Sequence, residues 1–335
     1  MDPIIQGLSE KWGVNLMGAP DAKFLAMDAQ PTLITASNSG ILALLSTYVE
    51  PKVIEVLLAP MKAAQIVGDE VKKGDWITSS AEFPVVEVTG EVSSYGDYAN
   101  NGRAGANVNW IARQPYTYQT FTEWGEQELQ RMGLAKLDWA GQQNRASVIT
   151  LNKFQNSTYF LGVTGLKLYG LLNDPSLTAP ISPLTKAAGG TSWANGVALE
   201  IYNDILALYQ QLVSQANGLL DISEDTPMTL ALSASSSTNL RKTNQYNVNV
   251  LDQLKANFPA LKIVTAPEYA TTSGNLVQLI VDEMEGQRTA SVAFTEKLRA
   301  HPMIVHESSF RQKKSQGTWG CIIFRPFLIA QMLGV

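Results

Sequence analysis

Two runs in the first third of the chain alternate with period two. Val86, Val88 and Val92 are interleaved with Glu87 and Glu91, and Tyr116, Tyr118 and Thr120 with Thr117 and Gln119. That spacing puts apolar side chains on one face and polar ones on the other, so both runs predict half-buried strands. Residues 93–106 lie between them, carrying Gly96, Asn100, Asn101, Gly102 and Gly105. This tip is too long for a tight hairpin turn, and the whole of 76–121 predicts one long two-stranded ribbon. Two strands cannot bury enough apolar area to stand alone, so the ribbon requires a surface beneath it. From 116 to 174 there is no proline, and 123–158 is rich in Gln, Glu, Leu, Ala and Arg. One long helix fits this stretch. Gly125, Gly133 and Gly141 would each cost about 1 kcal/mol in a helix interior, which leaves a kink or break open.

Pro175, Pro180, Pro183, Gly189 and Gly190 then punctuate a boundary, and a second folding region starts near Thr191. Ile201, Ile205, Leu208 and Leu212 form the apolar stripe of an amphipathic helix that ends near Asn217 and Gly218. After it the pattern predicts a strand at 228–232, a helix at 250–257, and strands at 261–265 and 276–281. This is a small α/β sheet. Residues 303–335 return to strand, and Ile322, Ile323, Phe324, Phe327, Leu328 and Ile329 build the C-terminus into the fold.

Composition changes this picture in one respect. Of the 335 residues 45% are hydrophobic but only 16% charged, against about 25% charged in an ordinary soluble chain. The shortage is in surface charge, as expected where much of the surface ends against other protein. Residues 24–49 show it most clearly: Asp28 is the one charge in a segment that reads as an extended arm needing cover. The length exceeds what one core usually serves, so two regions sharing a boundary are expected. A net charge of -5 argues against counterion-releasing attachment to nucleic acid. Cys321, the single cysteine, sits in an apolar run and reads as a small buried hydrophobe in a chain folded under reducing conditions. The N-terminus has no secretory pattern, which predicts folding in the cytoplasm. The apolar run 41–49 is about half the ~20 residues that span a bilayer.

Candidate chemistry is sparse. The sequence contains no phosphate-cradling glycine loop, no HExxH and no CxxC. His301 and His306, five apart, point to opposite faces of a strand and could not share a metal from a regular element. Asp282, Glu283 and Glu285 near Arg288 read as a solvated strand end. Lys72–Lys73 and Lys313–Lys314 read as solvated turns. The hydroxyls of 233–238 read as caps of a following helix. No catalytic, cofactor or metal-binding residue is assigned, and the chain reads as a non-enzyme.

An uncharged arm, a long ribbon, a long helix, an inserted α/β region and a final return to strand occur in that order. With Ser94-Tyr95-Gly96-Asp97-Tyr98, Trp124-Gly125-Glu126-Gln127-Glu128-Leu129 and the ending 325–334, this order resembles the major capsid proteins of tailed bacteriophages with the Hong Kong 97-like fold. The resemblance implies an α+β chain divided into an N-terminal arm and lead-in (1–75), an E-loop ribbon (76–121), a spine helix and peripheral domain (122–190), an axial domain (191–290) and return strands of the peripheral domain (291–335). It implies hexamers and pentamers of this chain closing an icosahedral shell around double-stranded DNA. A separate scaffolding protein and a portal would be partners, with a decoration protein as a further candidate. Tyr95, Tyr98, Arg103 and Trp110 are the candidate intersubunit contacts, because Tyr, Trp and Arg dominate interface energetics; Trp110 packing only within its own ribbon is the other reading. Some members of the family join an E-loop lysine to a neighbour's asparagine. This chain has no lysine between Lys73 and Lys136, so a non-covalent shell is expected. An encapsulating shell of the same fold around cargo enzymes, a soluble enzyme of unknown class and a tail or adhesin component are the alternatives.

Overall fold

The computed structural model describes residues 61–98, 101–134, 137–218, 223 and 225–335. The arm read at 24–49 lies outside the described residues. By internal contacts the chain divides into a unit of 1–56 with 133–137 and a larger unit of 57–132 with 138–335. The larger unit holds nearly everything described.

In chain order its main elements are α1 (Ala63–Val67), β1 (Glu70–Lys72), β2 (Ala81–Glu91), β3 (Arg103–Arg113), β4 (Tyr116–Gly125), α2 (Glu126–Leu134) and α3 (Trp139–Leu161). They continue with α4 (Ala198–Ala216), β5 (Met228–Leu232), α5 (Ala234–Asn239), α6 (Val250–Asn257), β6 (Leu261–Thr265), β7 (Gly274–Val281), β8 (Ala290–Val305), β9 (Ser309–Ile323) and β10 (Ile329–Leu333). They make two larger sheets and an isolated pair. One sheet runs β1-β8-β9-β4, the other β10-β7-β5-β6 with the two-residue strand Ala270–Thr271 on β7, and β2 pairs only with β3.

The predicted α/β region forms where expected. Ile201, Leu208 and Leu212 of α4 are fully buried and Ile205 nearly so, packed in one cluster with Leu230, Val277 and Met332. Asn217 closes α4 in the left-handed conformation at φ 46°. β5 and β6 are parallel and joined through α5 and α6, whereas β7 runs antiparallel to β5. Beside this core lies a buried ion pair: Lys186 Nζ contacts Asp204, which also accepts from Trp193 Nε1 at 2.7 Å. Both charged side chains are only 1% exposed.

The first sheet is backed by α3, whose inner face is largely polar. Gln316 on β9 accepts from Tyr118 Oη at 2.7 Å and donates to Asn152 at 2.9 Å. Lys314 donates to Asn144 Oδ1 at 2.7 Å and Ser147 Oγ at 2.6 Å, and burial holds its pKa below the usual lysine range. The lysine pair 313–314 therefore lies mid-strand, with Lys314 buried against a helix and not in a solvated turn. Of the other pair, Lys72 ends β1 and Lys73 sits over two aromatic rings, Phe83 and Phe324.

Three further expectations are corrected. The ribbon's return strand is β3, not 116–120: β2 and β3 pair from Ala81↔Arg113 to Glu91↔Arg103, while β4 joins β9 in the sheet. β3 carries Gly105, Asn107 and Asn109, residues poor in strand propensity, so its sequence hid it. The single long helix is two. Gly125 ends β4, Gly133 is the penultimate residue of α2, and Gly141 lies in the first turn of α3, where Asp138 caps its N–H at 3.0 Å. A Cβ on Gly141 would meet the capping carboxylate at 2.0 Å, so this glycine marks a helix start. Finally β10, read with the peripheral return strands, pairs with β7 in the sheet of the inserted region.

Gly320 lies at φ 70°, where a Cβ would stand 2.4 Å from the Tyr169 carbonyl oxygen. Gly320→Ala is expected to lower the denaturation midpoint of the unassembled subunit, with a loss above about 1 kcal/mol. Asp204→Leu strands a buried ammonium and should cost about 3–5 kcal/mol, whereas Lys186→Met combined with Asp204→Leu should recover most of that loss in the same urea titration.

Candidate intersubunit surface

β2 and β3 contribute 11 residues each to a ribbon that, among the described residues, packs on the body at its root. There Ala81 and Phe83 pack on Ala293, Trp319 and Ile322. Lys73 Nζ lies 5.1 Å from the ring centroids of both Phe83 and Phe324, and burial lowers its pKa despite the nearby Asp69. Its carbonyl accepts from Trp319 Nε1 at 2.8 Å. On the other strand Arg113 donates to Asp174 at 2.7 Å with its guanidinium 4.7 Å over the Tyr169 ring. Asp174 is held in turn by the Ser176 N–H at 3.0 Å and hydroxyl at 2.6 Å. Two cations, Lys73 against Phe83 of β2 and Arg113 at the end of β3, thus fix where the ribbon leaves the body.

Beyond the root both faces are open. Val86 is 58% exposed, Val88 84% and Trp110 58%. The four sequence-predicted contacts all lie on this projecting part, and the fold does not gather them into one cluster. Tyr95 donates to Asp97 at 2.9 Å and is otherwise exposed, and Tyr98 is fully exposed. Arg103 opens β3 opposite Glu91, while Trp110 stands opposite Pro84 near the root. At 3.3 Å per residue the last two are about 23 Å apart along the strand.

The far end of the β8–β9 hairpin is a second exposed apolar surface, with Leu298, Met303, Ile304 and Val305 all more than two-fifths exposed. Phe121 lies alongside, its ring 4.1 Å from the Arg311 guanidinium. The sequence signalled this only through the run 303–305, which reads equally as a buried strand.

The remaining chemical candidates have structural partners. His301 shares a 2.9 Å hydrogen bond with Ser315 and meets the Trp76 ring edge-on at 6.3 Å. His306 sits in the hairpin turn. Asp282 accepts from Thr229 at 2.7 Å, burial raising its pKa, and Glu283 pairs with Arg288 at 3.5 Å. Ser233 caps α5 through the Ser236 N–H at 3.1 Å. Cys321 is buried, and burial pushes its thiol far above the usual range. Among the described residues no group of three His, Cys, Asp or Glu could hold a metal, and no helix is long and apolar enough to cross a membrane.

The architecture is shared with solved capsid structures. It superposes on the capsid of Myoviridae phage XM1 with a TM-score of 0.71 at 15% identity, covering 88% of this chain and 99% of that one. For the capsid of the native GTA particle the TM-score is 0.61 at 10% identity, covering 90% and 100%. For Gordonia phage Cozz it is 0.59 at 9% identity, covering 96% and 98%. These likenesses establish the α+β Hong Kong 97-like capsid fold. No curated protein matches the chain in sequence. A family model described as Pa193 gp26 major capsid protein matches residues 32–334, nearly the whole chain. By that match the chain belongs to the Pa193 gp26 major capsid protein family of phage shell proteins.

Proposed function

We propose that this subunit assembles into hexamers and pentamers that close an icosahedral shell around double-stranded DNA, held together without covalent cross-links. The observation that carries this reading is the ribbon: rooted by the buried Arg113 and the half-buried Lys73, exposed beyond the root with Val86, Val88 and Trp110 along one face, and uncovered there by any of the described residues. A neighbouring copy supplies that surface. Tyr95, Tyr98, Arg103 and Trp110 are assigned to the contact, β2 and β3 with the tip between them to the E-loop, 116–190 to the spine with peripheral domain, 191–290 to the axial domain, and 291–328 to the peripheral return strands. β10 extends the axial sheet. The absence of any lysine between Lys73 and Lys136 removes the amine an E-loop cross-link needs. The net charge of -5 suits a container that must later release a polyanion. A separate scaffolding protein, a portal and assembly in the host cytoplasm complete the proposal.

Electron microscopy of the expressed chain with its scaffold should show closed shells. Denaturing electrophoresis of mature particles should give one monomer band, and a ladder of multimers would refute the non-covalent shell. Trp110→Ala combined with Val88→Asp should leave the unfolding midpoint of the free subunit within about 0.5 kcal/mol, because neither side chain is in the core. The same pair should cut shell yield several-fold; assembly at the wild-type level would remove the ribbon from the interface.

A further inference from the structure

The sequence holds three Asn–Gly pairs: Asn101–Gly102, Asn195–Gly196 and Asn217–Gly218. In such a pair the glycine's backbone nitrogen can attack the asparagine Cγ, since no Cβ on the second residue crowds the approach. A fold blocks this reaction wherever it holds the side chain or that nitrogen in another geometry, so the structure ranks the three.

Asn195 is held on both sides. Its Nδ2 donates to the Gly189 carbonyl at 3.2 Å, and the N–H of the buried Gly196 donates to the Trp193 carbonyl at 3.2 Å. Lys242 Nζ tightens the same turn, donating to the carbonyls of Trp193, Ala194 and Gly196 at 2.8 Å each. Asn217 is exposed, but it closes α4 at φ 46° and ψ 37°, with its N–H on the Ser214 carbonyl. At that ψ the Gly218 nitrogen is turned away from the Asn217 Cβ, so ring closure requires the helix cap to unwind. Asn101 has neither restraint. With Gly102 it is exposed and precedes the start of β3, and its carboxamide has no hydrogen-bond partner among the described residues.

We propose that Asn101 is a site of spontaneous deamidation in the unassembled subunit. The Gly102 nitrogen bonds to Asn101 Cγ, the Cγ–Nδ2 bond breaks, and ammonia leaves with the proton given up by Gly102. Water then opens the resulting succinimide at one carbonyl or the other, leaving aspartate or isoaspartate. Either product adds a negative charge to a chain already at -5, next but one to Arg103. Isoaspartate also routes the main chain through the side-chain methylene, lengthening the ribbon tip by one atom. The tip would thus record how long a subunit has waited uncovered. The reaction needs only the free chain and stands apart from the shell reading.

The full chain, purified as the unassembled subunit, is held at neutral and at mildly alkaline pH, and its tryptic peptides are followed by tandem mass spectrometry. Isoaspartate is counted by isoaspartyl methyltransferase labelling. Asn101 should convert several-fold faster than Asn195 and Asn217, and faster as pH rises, because the attacking amide must lose its proton. In urea the three rates should draw together, and Asn101→Gln should remove the tip signal. A native rate at Asn101 no greater than at either other pair would overturn the assignment. So would a ranking that survives unchanged in urea, since the fold would then not be what selects the site.

Discussion

Two antiparallel strands standing away from a body cannot remove enough apolar area from water to hold themselves in place, and the rest of the molecule is arranged around that shortage. The projecting residues of β2 and β3 keep valines and a tryptophan in solvent on both faces. What the subunit can secure by itself is only the root, and it does so with cations over aromatic rings and a buried Arg113–Asp174 pair. A fixed root holds the open blade in a defined direction, which a freely hinged hairpin could not do.

The body that carries this blade is built in two different ways. The sheet of the inserted region packs α4 through an apolar stripe, a non-directional contact worth about 25 cal/mol per Å² of area buried. The sheet under α3 is instead joined through Tyr118, Gln316, Asn152, Lys314 and Ser147, groups that must each find their partner once taken from water. Directional bonding of that kind fixes the register of the spine against the hairpin. It fits a subunit whose shape must be reproduced in every copy of a lattice, and it matches the low surface charge of a chain meant to meet other protein on several sides.

Much of the candidate interface was legible because it broke a local rule. Alternating exposed valines leading into a glycine-rich tip mark a ribbon with no core of its own, and Tyr95, Tyr98, Arg103 and Trp110 are placed along it. The apolar end of the β8–β9 hairpin was not separable in the same way, since Met303-Ile304-Val305 looks alike in a core and on a surface. The meeting of Phe83 and Ile111 with Phe324 was invisible in sequence, because it arises only once the β2–β3 pair has been set against the residues that follow β9.

The sequence by itself determined the elements whose periodicity meets a core: α4, β5, α6, β6 and β7 follow from spacings of 3.6 or from short apolar runs, and burial enforces them. Tertiary structure decided what periodicity does not encode. β3 is a strand because β2 pairs with it, despite its asparagines and glycines. The expected long helix is divided so that β4 can extend to Gly125 against β9 and Asp138 can cap a new start at Gly141. β10 crosses to the inserted region's sheet because β7 offers it an open edge. Strand pairing and caps are contacts between residues far apart or in special conformations, and their free energy exists only once the partner is in place.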